Sequence, residues 1–326
     1  MLRLTSKITF VLSGLRKIKV PFCTNVDVVS SINNFTDTAK ITLPQKLKVN
    51  DDLLHNKVKK GDKVIVELGY DDDLDVVFTG YIKSIEKNNP VVYNCENEAW
   101  KLKQINLPKQ THSKLSIEDF CKKHLSDYEL EIADFSLGEV RINEDVTLAS
   151  VFDYFMNNYP VKFFFRDDVF VGVLPGSMSL KSGRVNEIAF EVGTNIIDDN
   201  TTYTEADDVN LQIIAKSVLK NNTKLESKRP QNATDAEVRT FYCPTATNQK
   251  ELDAFAEKML LEYKVDTIEG DIVCFGKPFV RKLDIVKYYN NDSPDKHGSR
   301  FVVEEVNYSF GQSGYRQKIK LGGRIK

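Results

Sequence analysis

A three-strand pattern occurs twice in this chain, once near each end, and it restricts the fold more than any other feature. In the first copy Asp62–Leu68 reads as a strand, and the polar turn Asp71–Asp75 follows. Val76–Ile82, a turn at Asn88-Asn89-Pro90 and Val91–Cys95 complete it. The second copy runs Leu283–Tyr288, a turn at 290–294, Phe301–Val306, a turn at Gly311–Gly314 and Tyr315–Leu321. Alternating apolar and polar residues bounded by Gly, Pro, Asn and Asp are the pattern of half-buried antiparallel strands. A three- or four-strand meander has two open edges, and open edges pair with other chains. Two such sheets in one chain, each edge meeting a neighbour, close into a ring. Three chains would supply six similar sheets around an open lumen.

The chain has 326 residues, enough for a sizeable core and for two or three domains. Residues 1–108 read as all-β. Ile8–Leu12, Arg16–Val29 and Thr38–Leu43 precede the first meander, and Pro44 stops the last of these. Residues 109–185 read as a small α+β module. Ser116 caps a helix with Asp119 at its third position, and Leu115 and Phe120 sit where a hydrophobic staple would. A second helix follows Thr147, with Leu148, Val151, Phe152 and Phe155 on one face and Pro160 ending it. Val161–Phe165 and Val169–Leu174 flank the turn Arg166-Asp167-Asp168 as a hairpin.

Residues 186–326 return to strands at Ile188–Val192, Asn210–Leu219 and Val238–Tyr242. Thr204 and Asp207 offer a helix start before the middle one, but its Ile213-Ile214 and Val218-Leu219 pairs favour a strand. The polar stretch 221–235, carrying Pro230, reads as a long loop. A helix then runs over 249–264, with Asn248 and Glu251 as its capping box. Leu252, Phe255, Ala256, Met259, Leu260 and Tyr263 form its apolar stripe, which needs a sheet to cover. The expected fold class is α+β, mainly β: two similar barrel domains over 1–108 and 186–326, the module 109–185 between them, and the helix near 248–264 packed on the second barrel.

The chemistry-bearing residues are sparse. His55, His112, His124 and His297 share no metal-ligand spacing. Cys23, Cys95, Cys121, Cys243 and Cys274 are odd in number, widely spaced and without a Cys-x-x-Cys pair, which fits reduced buried thiols. Asp71, Asp73 and Asp75 alternate like the first ligands of a calcium loop, but Val76 and Ile82 stand where that loop needs Gly and Glu. No nucleophile elbow or phosphate-binding Gly-rich loop is present. A net charge of −2 argues against binding nucleic acid by phosphate neutralisation. No apolar run approaches a membrane span, and the start reads as a strand, not a signal peptide. The expectation is no enzyme, no cofactor and no metal.

One pair of faces differs between the copies. In the last strand Arg316, Lys318 and Lys320 point opposite to Tyr315, Ile319 and Leu321. The matching first-copy strand carries Asn94 and Glu96 on its less apolar face. Long charged side chains usually face water. The sharper reading makes these five residues a subunit interface oriented by charge.

Several segments, taken together in order and spacing, resemble one family. In the first half they are Lys40-Ile41-Thr42-Leu43-Pro44, Gly61-Asp62-Lys63-Val64, Phe78-Thr79-Gly80-Tyr81-Ile82, Pro90, Glu96 and Ala99–Lys103. In the second they are the 249–264 helix, Gly276-Lys277-Pro278, Phe301–Val306 and Gly314-Tyr315-Arg316-Gln317. The family is the baseplate hub proteins of contractile phage tails, or late control protein D family, related to the hub part of type VI secretion spike proteins. The resemblance spans nearly the whole chain, except that 221–235 matches no motif. It implies tube-type barrels, a homotrimeric pseudo-sixfold ring, and partners in the tail tube or a tube-initiator protein and in a spike. The sequence closes at Lys326 after the second barrel, so the spike is expected on a separate polypeptide. The resemblance further implies synthesis in the bacterial cytoplasm, a place in a tail baseplate, no membrane insertion and no specific nucleic-acid binding, DNA passage through the channel being compatible with it. The rival readings are a cell-wall glycan-binding tail module, using Tyr159, Phe163, Phe164 and Phe165, and a tail-associated wall hydrolase.

Overall fold

In the computed structural model, which describes residues 3–133, 135–143, 146–174, 185–219, 221–293 and 296–325, both meanders form as antiparallel ladders. The first is Lys63–Tyr70, Asp73–Glu86 and Val91–Glu96; the second is Ile285–Tyr289, Ser299–Gly311 and Gly314–Ile325. Pro294, placed in a turn by the sequence, lies outside the described residues. The fold is α+β and mainly β. The chain gathers into two compact units: Met1–Leu102 with Asn186–Thr201 and Glu269–Lys326, and Lys103–Val185 with Thr202–Ile268. The boundaries at 108 and 185 read from sequence follow the chain, whereas compactness gathers 202–268 with 103–185.

In the first unit both meanders belong to one sheet. Its order is Ile196–Asp199, Asp271–Phe275, Gly314–Ile325, Ser299–Gly311, Asn25–Ser31, Thr38–Leu43, Val91–Glu96, Asp73–Glu86, Lys63–Tyr70, Leu4–Val11 and Lys17–Val20. The join is the antiparallel pairing of Asn25–Ser31 with Ser299–Gly311, which sets Ser31 opposite Glu305 and Val26 opposite Phe310. The alternation read from sequence is the cause of burial here. Val64, Val66 and Leu68 are fully buried, while Lys63, Ile65 and Glu67 between them are half-exposed. Ile8 and Phe10 of the paired strand join the same core, where the Phe10 and Tyr93 rings lie 5.3 Å apart.

The duplication extends into the turn that precedes each meander. Gly61 N donates to Ile82 O at 2.8 Å, and Ile82 N donates to Asp62 O at 2.9 Å. Leu283 N and Val303 N make the same pair of bonds to Val303 O and Asp284 O, both at 2.8 Å. The Asp62 carboxylate accepts from Lys59 N at 2.7 Å and Ser13 N at 3.2 Å. The Asp284 carboxylate accepts from Arg281 N at 2.8 Å and Asn186 N at 3.0 Å. Both turns need a left-handed residue, Gly61 at φ +90° and Leu283 at φ +70°. The Asp71–Asp75 turn is shorter than expected: only Asp71 and Asp72 lie outside the ladder, because Tyr70 already pairs with Asp73 and Leu68 with Asp75.

A buried ion pair fastens the join. Lys282 Nζ donates to both Asp37 oxygens at 2.8 and 2.7 Å and to Ser31 O at 3.3 Å. Asp37 also accepts from Ser31 N at 3.1 Å and Asn97 Nδ2 at 3.2 Å. Lys282 is 2% and Asp37 8% exposed, so neither charge has water to fall back on.

The second unit holds two cores. Ser116 Oγ accepts from Asp119 N at 3.3 Å and caps Ile117–His124; Thr147 Oγ1 accepts from Ser150 N at 3.2 Å and caps Leu148–Asn158. Both helices and the hairpin Lys162–Arg166/Val169–Val173 bury Phe120, Phe152, Phe155, Phe163 and Phe170 together. A parallel strand that sequence reading did not find, Glu129–Ile132, lies beside Val169–Val173.

In the other core Leu211–Val218 is a strand, as expected, flanked by Glu237–Tyr242 and by Lys224–Arg229. The last corrects the loop expected over 221–235. Its Lys224, Glu226 and Lys228 are exposed, and of the inward-facing Leu225, Ser227 and Arg229 only Leu225 is apolar, so no hydrophobic period marks it. The helix Gln249–Tyr263 covers these three strands with Leu252, Ala256 and Met259. The expected stripe thus finds a sheet, but that sheet is 211–242 and not the strands of the second meander. Asn248 caps it as expected, its Oδ1 accepting from Glu251 N at 3.0 Å, but the Glu251 carboxylate reaches back to Thr247 N at 2.7 Å and to Asn248 Nδ2 at 2.9 Å, one residue before the backbone donor of a standard capping box.

Replacing Lys282 with Met leaves the Asp37 charge buried without its counter-ion. The expected loss is about 3–5 kcal/mol in urea unfolding. Adding Asp37→Asn, which removes the charge and keeps an acceptor for Ser31 N, recovers part of that loss. An additive double variant would contradict the pairing.

Candidate assembly interface

Among the described residues no three His, Cys, Asp or Glu side chains are placed to hold a metal ion. Burial pushes the Cys121 and Cys274 thiols up to about 12 and raises the Cys23 and Cys95 thiols as well, which keeps them protonated at neutral pH. Burial, with Lys123 and His112 nearby, lowers the His124 imidazole and disfavours its cation. Part of the acidic charge at the hairpin tip is paired within the chain. Lys277 forms ion pairs with Asp73 at 3.0 Å and with Asp75, Arg3 N donates to Asp71 at 3.1 Å, and Arg3 lies 3.8 Å from Asp72. The Lys277 ammonium therefore stands against Asp73 and Asp75, two of the three alternating carboxylates.

The two strand faces singled out in the sequence can be placed. The last strand alternates as expected: Tyr315, Gln317, Ile319 and Leu321 are buried, and Lys318 and Lys320 are exposed. Lys318 pairs with Asp271 at 3.1 Å. Arg316 lies over the Phe275 ring at 5.0 Å and donates to Tyr315 O at 3.0 Å. Lys320 stands opposite Asp271 on one side and Glu305 on the other. In the first copy Asn94 Nδ2 donates to Glu86 at 2.7 Å and to Ser84 at 3.2 Å. Glu96 is buried, 2.6 Å from the Lys83 ammonium. The two sets occupy corresponding strands, and each also has partners within its own chain.

Residues that sequence reading missed hold these strands in place. Gln317 is fully buried and clamps the 275–280 segment: its Nε2 donates to Phe275 O at 3.0 Å and Pro278 O at 2.8 Å, and its Oε1 accepts from Val280 N at 3.0 Å. Gly276 lies under the Tyr315 ring, where a Cβ would come within 1.9 Å of a ring carbon. The motifs Gly276-Lys277-Pro278 and Gly314-Tyr315-Arg316-Gln317 are thus two sides of one contact. Asp37 and Lys282 gave no local signal. Aligning the copies one turn further back, Lys59-Lys60-Gly61-Asp62 on Arg281-Lys282-Leu283-Asp284, would have exposed the repeated turn.

No protein-family model matches this chain, and no curated protein sequence matches it. Solved structures do match over nearly its whole length. A tail protein from Neisseria meningitidis MC58 shares 15% identity over 97% of this chain and 96% of its own, with a TM-score of 0.65. The 43 kDa tail protein of prophage MuSo2 from Shewanella oneidensis shares 9% identity over 97% of each chain, with a TM-score of 0.63. The Escherichia coli c3393 protein, described as a component of the type VI secretion system similar to T4 bacteriophage tail proteins gp27 and gp5, shares 8% identity over 93% of this chain and 74% of its own, with a TM-score of 0.56. The chain therefore has the fold of these phage-tail and secretion proteins, the fold that its resemblance to the hub family led us to expect.

Two substitutions probe this region. Gly276→Ala forces a methyl into the Tyr315 ring and is expected to cost at least about 1–3 kcal/mol, read as a lower urea midpoint at unchanged slope. The second concerns Asp199, where burial raises the carboxyl but hydrogen bonds from Thr201 and Tyr288 and the charge of Lys296 outweigh it, leaving it below the usual range. A depressed folded value stabilises above the unfolded value and is lost as pH falls through the folded one. Asp199→Asn should destabilise at pH 7, and the difference from wild type should shrink as pH falls below about 4. A difference independent of pH would contradict this account.

Proposed function

We propose that this chain is a structural hub of a phage-tail-like contractile particle. The observation that carries the reading is that both meanders are built into one open sheet, in a fold shared with phage-tail proteins. Three chains, each bringing two related meanders, form a ring threefold in sequence and nearly sixfold in shape. Such a ring joins a sixfold tail tube, or its initiator, to a threefold spike. Function then lies in surfaces and edges, and no catalytic step or cofactor is required. The protein is made in the bacterial cytoplasm and becomes part of a tail baseplate.

The outward basic face of Arg316, Lys318 and Lys320 and the first-copy face of Asn94 and Glu96 are proposed to meet between subunits. Reversing the charges at Arg316 and Lys318 then weakens assembly in a salt-sensitive way. Nothing specific favours the glycan-binding reading. Tyr159, Phe163, Phe164 and Phe165, the aromatics it would use, are all buried. Light scattering at micromolar concentration is expected to give three times the chain mass of 37.2 kDa. A strictly monomeric protein would count heavily against the proposal.

A further inference from the structure

Two imidazoles lie against one phenylalanine in the aromatic core of the second unit. His112 is on the strand Gln110–Ser116, and His124 is the last residue of the helix Ile117–His124 that follows it. The His124 and Phe120 rings lie 4.6 Å apart, and the His112 and Phe120 rings lie 6.3 Å apart, edge to face. Phe120 is buried and continues the contact to Phe152 and Phe155. The Nε2 atoms of both histidines are buried, and among the described residues neither has a hydrogen-bond partner. Gln110 Nε2, two residues before His112 on the same strand, is buried and unpartnered as well. The charged groups around the pair come from four elements. Lys123, beside His124 on its own helix, and His112 both act on His124. Further back on that helix Glu118 holds Lys122 at 2.7 Å, and Asp119 lies in the first turn. The exposed Lys114 shares the strand of His112. Glu129 and Glu131 come from the strand Glu129–Ile132, and Asp153 from the helix Leu148–Asn158, but none of these carboxylates bonds either Nε2.

We infer that His112 and His124 form an acid-sensitive latch, so that in mild acid the helix Ile117–His124 loosens from the strand Gln110–Ser116. The inference does not depend on the hub reading. A charged imidazole carries an N–H on both ring nitrogens, and the buried Nε2 offers that proton no acceptor. Each cation would also meet the other and Lys123. The end of a helix ordinarily favours a cation, but burial, Lys123 and His112 outweigh this at His124 and lower its imidazole. The folded state then binds fewer protons than the unfolded one, whose histidines titrate near about 6.5. Stability is therefore whole above that pH and falls as pH drops below it. Asp153 works in the opposite direction. Burial raises its carboxyl, so its protonation adds stability in acid and cannot cause the loss.

The test is amide hydrogen exchange of the whole chain at about pH 7.5 and about pH 5.5, corrected for the intrinsic rate, a window that brackets the ordinary imidazole value and lies above the ordinary carboxylate range. Amides of the helix Ile117–His124 are expected to lose protection at least about threefold at the lower pH, while those of Lys63–Tyr70 in the first unit keep theirs. A double variant, His112→Gln with His124→Gln, has nothing to titrate at the latch, and its helix should be equally protected at both pH values. Because that variant also alters the packing on Phe120, Lys123→Glu provides a second reading. Lys123 is exposed, and a carboxylate in its place favours the His124 cation in the folded state, so the acid loss should shrink with the core unchanged. Helix amides of the wild-type protein that are equally protected at both pH values would overturn the inference. So would an acid loss that persists undiminished in Lys123→Glu, whether or not the double variant folds.

Discussion

The antiparallel pairing of Asn25–Ser31 with Ser299–Gly311 is the contact on which the first unit depends. It brings strands from opposite ends of the chain together and makes one sheet of two meanders. Closing so long a loop is entropically unfavourable, though the penalty grows only slowly with length. Burial of Val26, Val28, Val306, Tyr308 and Phe310 along the join offsets it. The Lys282–Asp37 ion pair is tied to Ser31 at the end of that ladder, and removing either partner would leave an uncompensated charge buried there. Without the join, each meander would be a small sheet with two open edges.

The repeated turn shows how closely the copies correspond. Asp62 and Asp284 take the same bonds from the residue three before them and from a residue just beyond the end of a more distant strand. The distant strands differ: Leu4–Val11 runs antiparallel to its meander, while Glu187–Glu191 runs parallel. One turn therefore serves two sheets that are completed differently. The similarity to tail proteins at 15% identity or less fits this economy, because backbone pairing and a few buried polar clamps define the fold.

Much of this was legible in the sequence. The meanders, the helices capped by Ser116, Thr147 and Asn248, and the 162–173 hairpin all follow local patterns of period and capping. What stayed hidden has non-local causes. Lys224–Arg229 is a strand because Leu211–Val218 offers it a ladder, and its own residues are nearly all polar. Glu129–Ile132 is fixed by a parallel neighbour some forty residues on. The 249–263 helix shows its stripe plainly, but which sheet it covers is a tertiary choice. Asp37 and Lys282 are ordinary charged residues until the fold buries them 2.7 Å apart. Of the faces singled out, the alternation of Arg316, Lys318 and Lys320 was readable, while the burial of Glu96 against Lys83 was not.

The account as a whole makes the duplicated sheet an assembly device whose chemistry is carried by strand edges and charge. Its most direct test is electron microscopy of the purified chain, with particles averaged down the assembly axis. The account predicts a threefold ring with six similar lobes around a central opening. Isolated single chains, or a closed ring of any other symmetry, would contradict it.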